Sequence, residues 1–134
     1  MNGWVGVDLD GTLAIYNGWN DGLIGEPIPL MVGRVKLWLR EGKYVRIVTA
    51  RVAKTLLRNT DTGTDDTIMF ANHQEKLIKQ WCKEHIGIEL KVTATKDFGM
   101  IELWDDRCVQ VIPNTGLALD KSLNIKLKVF DASN

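Results

Sequence analysis

The sequence predicts an α/β protein, a three-layer, Rossmann-like fold with a mainly parallel five-stranded sheet and helices on both faces. Short apolar, β-branched runs alternate with segments of helical period through most of the chain. That is the pattern of successive βαβ units joined by right-handed crossovers. The first run, Trp4, Val5, Gly6, Val7, is apolar throughout, as expected of a strand covered on both faces. It leads into Asp8 and Asp10, and ligands of open α/β sheets bind outside the carboxyl ends of strands.

After this first strand, Ala14 to Pro29 is rich in Gly, Asn and Pro and reads as an ordered flap carrying Tyr16, Trp19, Asp21 and Glu26. Proline suits a first helical turn, so a helix starts near Pro29; Met31, Val35, Trp38 and Leu39 form its inward stripe and Gly42 ends it. Tyr44 to Val48 is the second strand, ending in Thr49, Ala50 and Arg51. Val52 to Ala71 is polar and mixed, with a short helix through Leu57 and a loop from Asn59 to Asp66. A firmer helix follows, with Asn72 as cap, Glu75 three residues on, and Leu77, Ile78, Trp81 and Cys82 facing inward until Gly87. Ile88 to Val92, Met100 to Trp104 and Cys108 to Ile112 read as strands three to five, the last stopped by Pro113. In the tail, Leu123, Ile125, Leu127 and Val129 alternate with polar residues, the period of an edge or interface strand.

With 134 residues, 45% of them hydrophobic, the chain is expected to form one domain, its core spanning about residues 4–112 with 113–134 as a C-terminal extension. Seventeen basic and seventeen acidic residues leave no net charge to draw it to nucleic acid or membranes. No stretch approaches the roughly 20 apolar residues of a membrane span, and no basic, then apolar, leader opens the chain, which predicts a cytoplasmic protein. Cys82 and Cys108 match no zinc or redox spacing and are expected as reduced thiols in the core. The expected state is a monomer or a homodimer.

Chemistry gathers at predicted strand ends: Asp8 with Asp10, Thr49, Lys96, and Asp105 with Asp106. Four carboxylates in one cleft would repel one another unless a cation were present. An oxygen-rich cluster without His or Cys suits Mg2+, which is typically held by carboxylates together with a substrate phosphate. Thr49 and Lys96 would then take the remaining phosphate oxygens. Asp8 could act as a carboxylate nucleophile, forming an aspartyl phosphate. Asp10, two residues on, could protonate the leaving group and later deprotonate water. Gly11 allows the chain to turn sharply directly after Asp10.

At these residues the sequence resembles the haloacid dehalogenase-like hydrolase superfamily, whose DxDGT motif stands here as Asp8, Leu9, Asp10, Gly11, Thr12. The small hydroxylated residue ending the second strand is met by Thr49, the lysine by Lys96 with Lys91 as rival, and the final acidic pair by Asp105 and Asp106. The resemblance covers Trp4 to Ile112. It implies a phosphomonoester hydrolase with Asp8 as nucleophile and Asp10 as general acid/base, acting on a phosphorylated small molecule. The phosphoryl group would be held by Gly11, Thr12, Thr49, Ala50, Arg51 and Lys96. Mg2+ would be held by Asp8, Asp105, Asp106 and Asp10, the last through its backbone carbonyl. Neither insertion point is long enough for a cap domain, so the chain looks like a small capless member, similar to phage or prophage hydrolases.

Other readings stand beside this one. A polynucleotide 3'-phosphatase would suit an open site, but zero net charge counts against tight backbone binding. A receiver-like phosphate switch uses the same residue types in a different order, and a non-catalytic binding module would not need every catalytic side chain. Asp106 is as readily a salt-bridge partner of Arg107 as a metal ligand. Arg51 and Arg107 could grip a second anionic group of the substrate, although structural ion pairs are the better expectation. Trp19 and Tyr16 are expected to pack over the site entrance, Trp38 and Trp81 to be core, and His73 and His85 to carry no chemistry.

Overall fold

The protein is seen here as a computed structural model that describes residues 3–54 and 65–124. Strands β1 (Trp4–Val7), β2 (Val45–Val48), β3 (Lys91–Thr93) and β4 (Met100–Trp104) form one parallel sheet in the order β3-β2-β1-β4. The long helices are α1 (Pro29–Arg40) and α2 (Asp65–His85). The fold is thus α/β around a parallel sheet, with β1, the strand that leads to Asp8, at its centre.

Pairing of Val5 with Val45, Val7 with Ile47 and Ile47 with Val92 turns these five side chains to one face. They are the strand members of a single buried core that also holds Met31, Val32, Val35 and Trp38 of α1 and Ala71, Ile78, Trp81 and Cys82 of α2. Each fully buried Val or Ile contributes about 1.5–3 kcal/mol. Both helices therefore lie on the same face.

Among the described residues no long helix covers the other face, where the sequence predicts helices on both. The opposite face carries Trp4, Gly6, Arg46 and Val48, and the link from β3 to β4 reaches it without a helix. Asp97 in that link accepts a hydrogen bond from Trp4 Nε1 at 2.9 Å and pairs with Arg46 at 3.6 Å. The Trp4 bond first, then the Gly99 N–H and the Arg46 charge, hold the Asp97 carboxyl below its ordinary range.

Helix α1 begins on Pro29 and ends where the Gly42 N–H bonds to Leu39 O and the Lys43 N–H to Trp38 O. Gly42 has φ +83°, so this is the Schellman ending that glycine favours. Helix α2 starts at Asp65, and Asn72 is an exposed mid-helix residue, not a cap. The buried stripe Ala71, Ile78, Trp81 and Cys82 outweighs local capping chemistry. The expected short helix through Leu57 and most of the Asn59–Asp66 loop fall outside the described residues. The third strand forms later than expected, at Lys91–Thr93, because Ile88 stays exposed after Gly87 while Leu90 turns into the core.

Among the described residues the sheet has four strands, where five were expected. Cys108–Ile112 makes only an isolated antiparallel bridge, Val111 to Ala118, around a turn through Pro113 and Asn114. Proline and the left-handed Asn114 (φ +66°) commit this segment to a local hairpin. Cys108 is consequently exposed, against expectation, whereas Cys82 is buried and its thiol is pushed up to about 11. Leu123 lies in a 3-10 turn (Lys121–Asn124), and the rest of the alternating tail is outside the described residues. No helix among the described residues is long and apolar enough to cross a membrane.

Candidate functional site

The acidic pair of β4 meets the first acid of β1 because the strands are parallel neighbours with Val7 opposite Trp104. The Asp8 N–H continues this pairing onto Trp104 O at 2.9 Å. One carboxylate oxygen each from Asp8, Asp105 and Asp106 lies within 4.8 Å of the others. Leu9, between Asp8 and Asp10, is fully buried and anchors the strand end in the core.

Two residues of the DGT turn hold this cluster together. Gly11 has φ +88°, and a Cβ on it would stand 2.5 Å from Asp106 Oδ2. Glycine lets the turn approach the Asp106 carboxylate this closely at a positive φ. The Thr12 hydroxyl is 3.4 Å from Asp8 Oδ2 and 3.3 Å from Asp106 Oδ1, and it accepts the Asp106 backbone N–H at 3.1 Å. With one proton to donate, it can serve only one of the two carboxylates at a time. Thr12, expected to contact substrate, sits here between two acids.

Burial above all, then the Asp105 charge and the hydrogen bond and charge of Asp106, push the Asp8 carboxyl up to about 7. A set of three carboxylates whose own charges oppose ionisation is matched by a hard divalent cation, which prefers oxygen ligands and relieves the repulsion. The donor set therefore fits Mg2+ better than a soft metal.

Asp10 does not join that cluster through its side chain. Both its carboxylate oxygens accept from Arg51, Oδ2 from Nε at 2.7 Å and Oδ1 from Nη2 at 2.8 Å. Arg51 also donates through Nη1 to Gly22 O at 2.7 Å and Gln74 Oε1 at 3.0 Å, and lies 4.7 Å from the Trp19 ring centre. Its buried guanidinium is directed at protein groups, with Asp10 as its ion-pair partner, the structural pairing expected for it beside the substrate contact.

Thr49 is buried at the carboxyl end of β2, where its Oγ1 accepts the Arg51 N–H at 3.2 Å and leaves its hydroxyl proton free for another acceptor. Ala50 beside it is exposed. Lys96 is exposed three residues past the end of β3, whereas Lys91 begins that strand, at the opposite end of the sheet from the acids. Asp105 Oδ1 caps the Arg107 N–H at 2.9 Å, and among the described residues Asp106 forms no ion pair with Arg107.

Trp19 is half exposed beside Phe70, at 6.0 Å between ring centres, and Tyr16 is likewise exposed. Trp38 and Trp81 are core, as expected, and Trp81 Nε1 pins the flap by donating to Gly25 O at 3.0 Å. Sequence reasoning missed Gln74, Gly22 and the partnership of Asp10 with Arg51. The last was available from spacing: each residue lies three past the end of one of two adjacent parallel strands.

No family profile matches the sequence, and no curated protein matches it. Among solved structures, it is similar to a conserved protein from Bacteroides thetaiotaomicron. The identity is 19% over 98% of this chain and 93% of that one, with a TM-score of 0.50. At that identity the likeness extends to the fold alone.

Proposed function

We propose that this chain is a magnesium-dependent phosphomonoester hydrolase of the haloacid dehalogenase-like type. In this reading it is a cytoplasmic enzyme with a Rossmann-like core that acts on a phosphorylated small molecule. The observation that carries the reading is the meeting of Asp8, Asp105 and Asp106 within 4.8 Å at the carboxyl ends of β1 and β4, beside a DxDGT turn. Mg2+ bound by these three residues, with the Asp10 carbonyl, would neutralise the carboxylates and the phosphoryl oxygens.

Asp8 attacks phosphorus, the bond from phosphorus to the ester oxygen breaks, and Asp10 gives that oxygen a proton. Water then attacks the aspartyl phosphate, Asp10 takes a proton from it, and the bond to Asp8 breaks to release phosphate. Thr49 and Lys96 hold the phosphoryl oxygens during both steps, supplying the positioning and charge that phosphoryl transfer requires. Thr12 keeps Asp8 and Asp106 oriented.

The test is turnover of p-nitrophenyl phosphate, a panel of phosphorylated metabolites and a 3'-phosphorylated oligonucleotide, with Mg2+ and after chelation. Asp8→Asn is expected to lower turnover by on the order of 10^4-fold or more. Undiminished turnover in Asp8→Asn would sink the aspartyl-phosphate mechanism. Strong, salt-sensitive preference for the oligonucleotide would transfer the reading to a nucleic-acid 3'-phosphatase.

A further inference from the structure

Arginine carries five N–H donors and no acceptor, so a buried arginine exposes its role by where those donors go. The Arg51 side chain is 3% exposed. Its Nε and Nη2 form the two parallel bonds to Asp10, at 2.7 and 2.8 Å, with Leu23 O a further 3.5 Å partner of Nη2. Its Nη1 reaches Gly22 O and Gln74 Oε1, and the Trp19 ring lies over the guanidinium at 4.7 Å. No donor is left for a substrate anion. The partners come from four places: the β1 turn, the flap, helix α2 and, through the Arg51 N–H to Thr49 Oγ1, the end of β2.

A carboxylate on a turn rotates about two side-chain bonds, and a general acid contributes only while its oxygen faces the leaving group. A planar fork bound to both oxygens removes that freedom, and lysine cannot reproduce it because its ammonium is a point charge. Each Asp10 oxygen spends one lone pair on Arg51 and keeps another through which a proton can be exchanged.

We infer that Arg51 is the positioning residue of this enzyme, fixing the Asp10 carboxyl for proton transfer and tying its orientation to the flap through Gly22, Leu23 and Trp19. The inference rests on the proposed reading of Asp8 and Asp10, and adds a requirement that reading does not contain. Arg51 acts through the Asp10 carboxyl and directs no donor at the substrate.

Dependence on the leaving group separates this role from general structural support. A p-nitrophenolate leaves with little help from an acid, whereas an alkoxide needs the proton. The experiment measures kcat/KM for p-nitrophenyl phosphate and for β-glycerophosphate, with Mg2+, in the wild type, Arg51→Lys, Arg51→Met, Asp10→Asn and the Arg51→Lys/Asp10→Asn double variant. Arg51→Lys is expected to lose about 10- to 100-fold on β-glycerophosphate and several-fold less on p-nitrophenyl phosphate. In the Asp10→Asn background, Arg51→Lys should cost nothing further, because the two side chains act as one unit.

Equal losses on the two esters in Arg51→Lys, or additive losses in the double variant, would overturn the inference while leaving the hydrolase reading intact. A wild type inactive on every phosphate ester would remove both together. Circular dichroism and thermal melting accompany each variant; if Arg51→Met does not fold, Arg51→Lys and the double variant carry the decision.

Discussion

Gly11 and Asp106 occupy one space: the hydrogen of Gly11 stands where a Cβ would lie 2.5 Å from Asp106 Oδ2, with the backbone at φ +88°. Gly11→Ala therefore combines an unfavourable backbone conformation with displacement of the Asp106 carboxylate, a proposed metal ligand. It is expected to destabilise the protein by about 1–3 kcal/mol and to weaken Mg2+ binding. Denaturant unfolding and calorimetric Mg2+ titration measure the two effects, and wild-type Mg2+ affinity in Gly11→Ala would show that Asp106 is not a ligand.

Asp8 gives the fold a pH dependence whose sign can be worked out. Its carboxyl has an ordinary value of 3.8 and rises to about 7 in the metal-free fold. Below the lower value both states hold the proton; between the two values only the folded state does. Stability is thus fully present at low pH and lost as pH rises toward 7. Metal-free protein should melt lower at about pH 8 than at about pH 5.5 relative to Asp8→Asn, which lacks the titrating group, and Mg2+ should raise the melting temperature more at the higher pH. Parallel pH curves for the two proteins would contradict the assignment.

Of the two lysines near the third strand, only Lys96 lies beyond its carboxyl end. Lys96→Met should reduce kcat/KM by about 10^2-fold or more, the scale of losing one donor to a developing charge. Lys91→Met should stay close to wild type. Steady-state kinetics on p-nitrophenyl phosphate decides, and a reversed ranking would exchange their roles.

The Thr12 hydroxyl bonds to Asp106, 94 residues away in sequence, just past the end of β4. Thr12→Val leaves the Asp106 N–H without its acceptor and should cost about 1–3 kcal/mol with weaker Mg2+ binding, whereas Thr12→Ser should preserve both. Thermal melts and Mg2+ titrations of the two variants test this. Equal loss in Thr12→Ser would assign the effect to the methyl group.

Elements with strong local signals were legible in the sequence: β1 and β4 from apolar runs ending in acids, α1 from Pro29 and its stripe, and the ends marked by Gly42 and Gly87. The meeting of Asp8, Asp105 and Asp106 followed from their places at strand ends. Local signals failed where tertiary context decided. Asn72 has capping chemistry but lies inside a helix held by its buried stripe, and Cys108–Ile112 has strand composition but folds back through Pro113 and Asn114. The pairing of Arg51 with Asp10 could be read from spacing, but its burial could not: a charged residue is expected outside, and Asp10, Gly22 and Gln74 together make that burial tolerable.

The apolar core closes early along the chain. Every buried member of the core cluster lies at or before Val92, and β4 adds only Trp104, packed against its rim. A ribosome would release this core cluster before the strand that leads to Asp105 and Asp106. Local opening of β4 then dismantles the acidic corner while leaving α1, α2 and the first three strands joined. Amide hydrogen exchange should accordingly find Met100–Trp104 opening at lower free energy than Val45–Val48, with Mg2+ narrowing the gap. Cation binding would in this way report the docking of one edge strand, a late and separable event in the life of the fold.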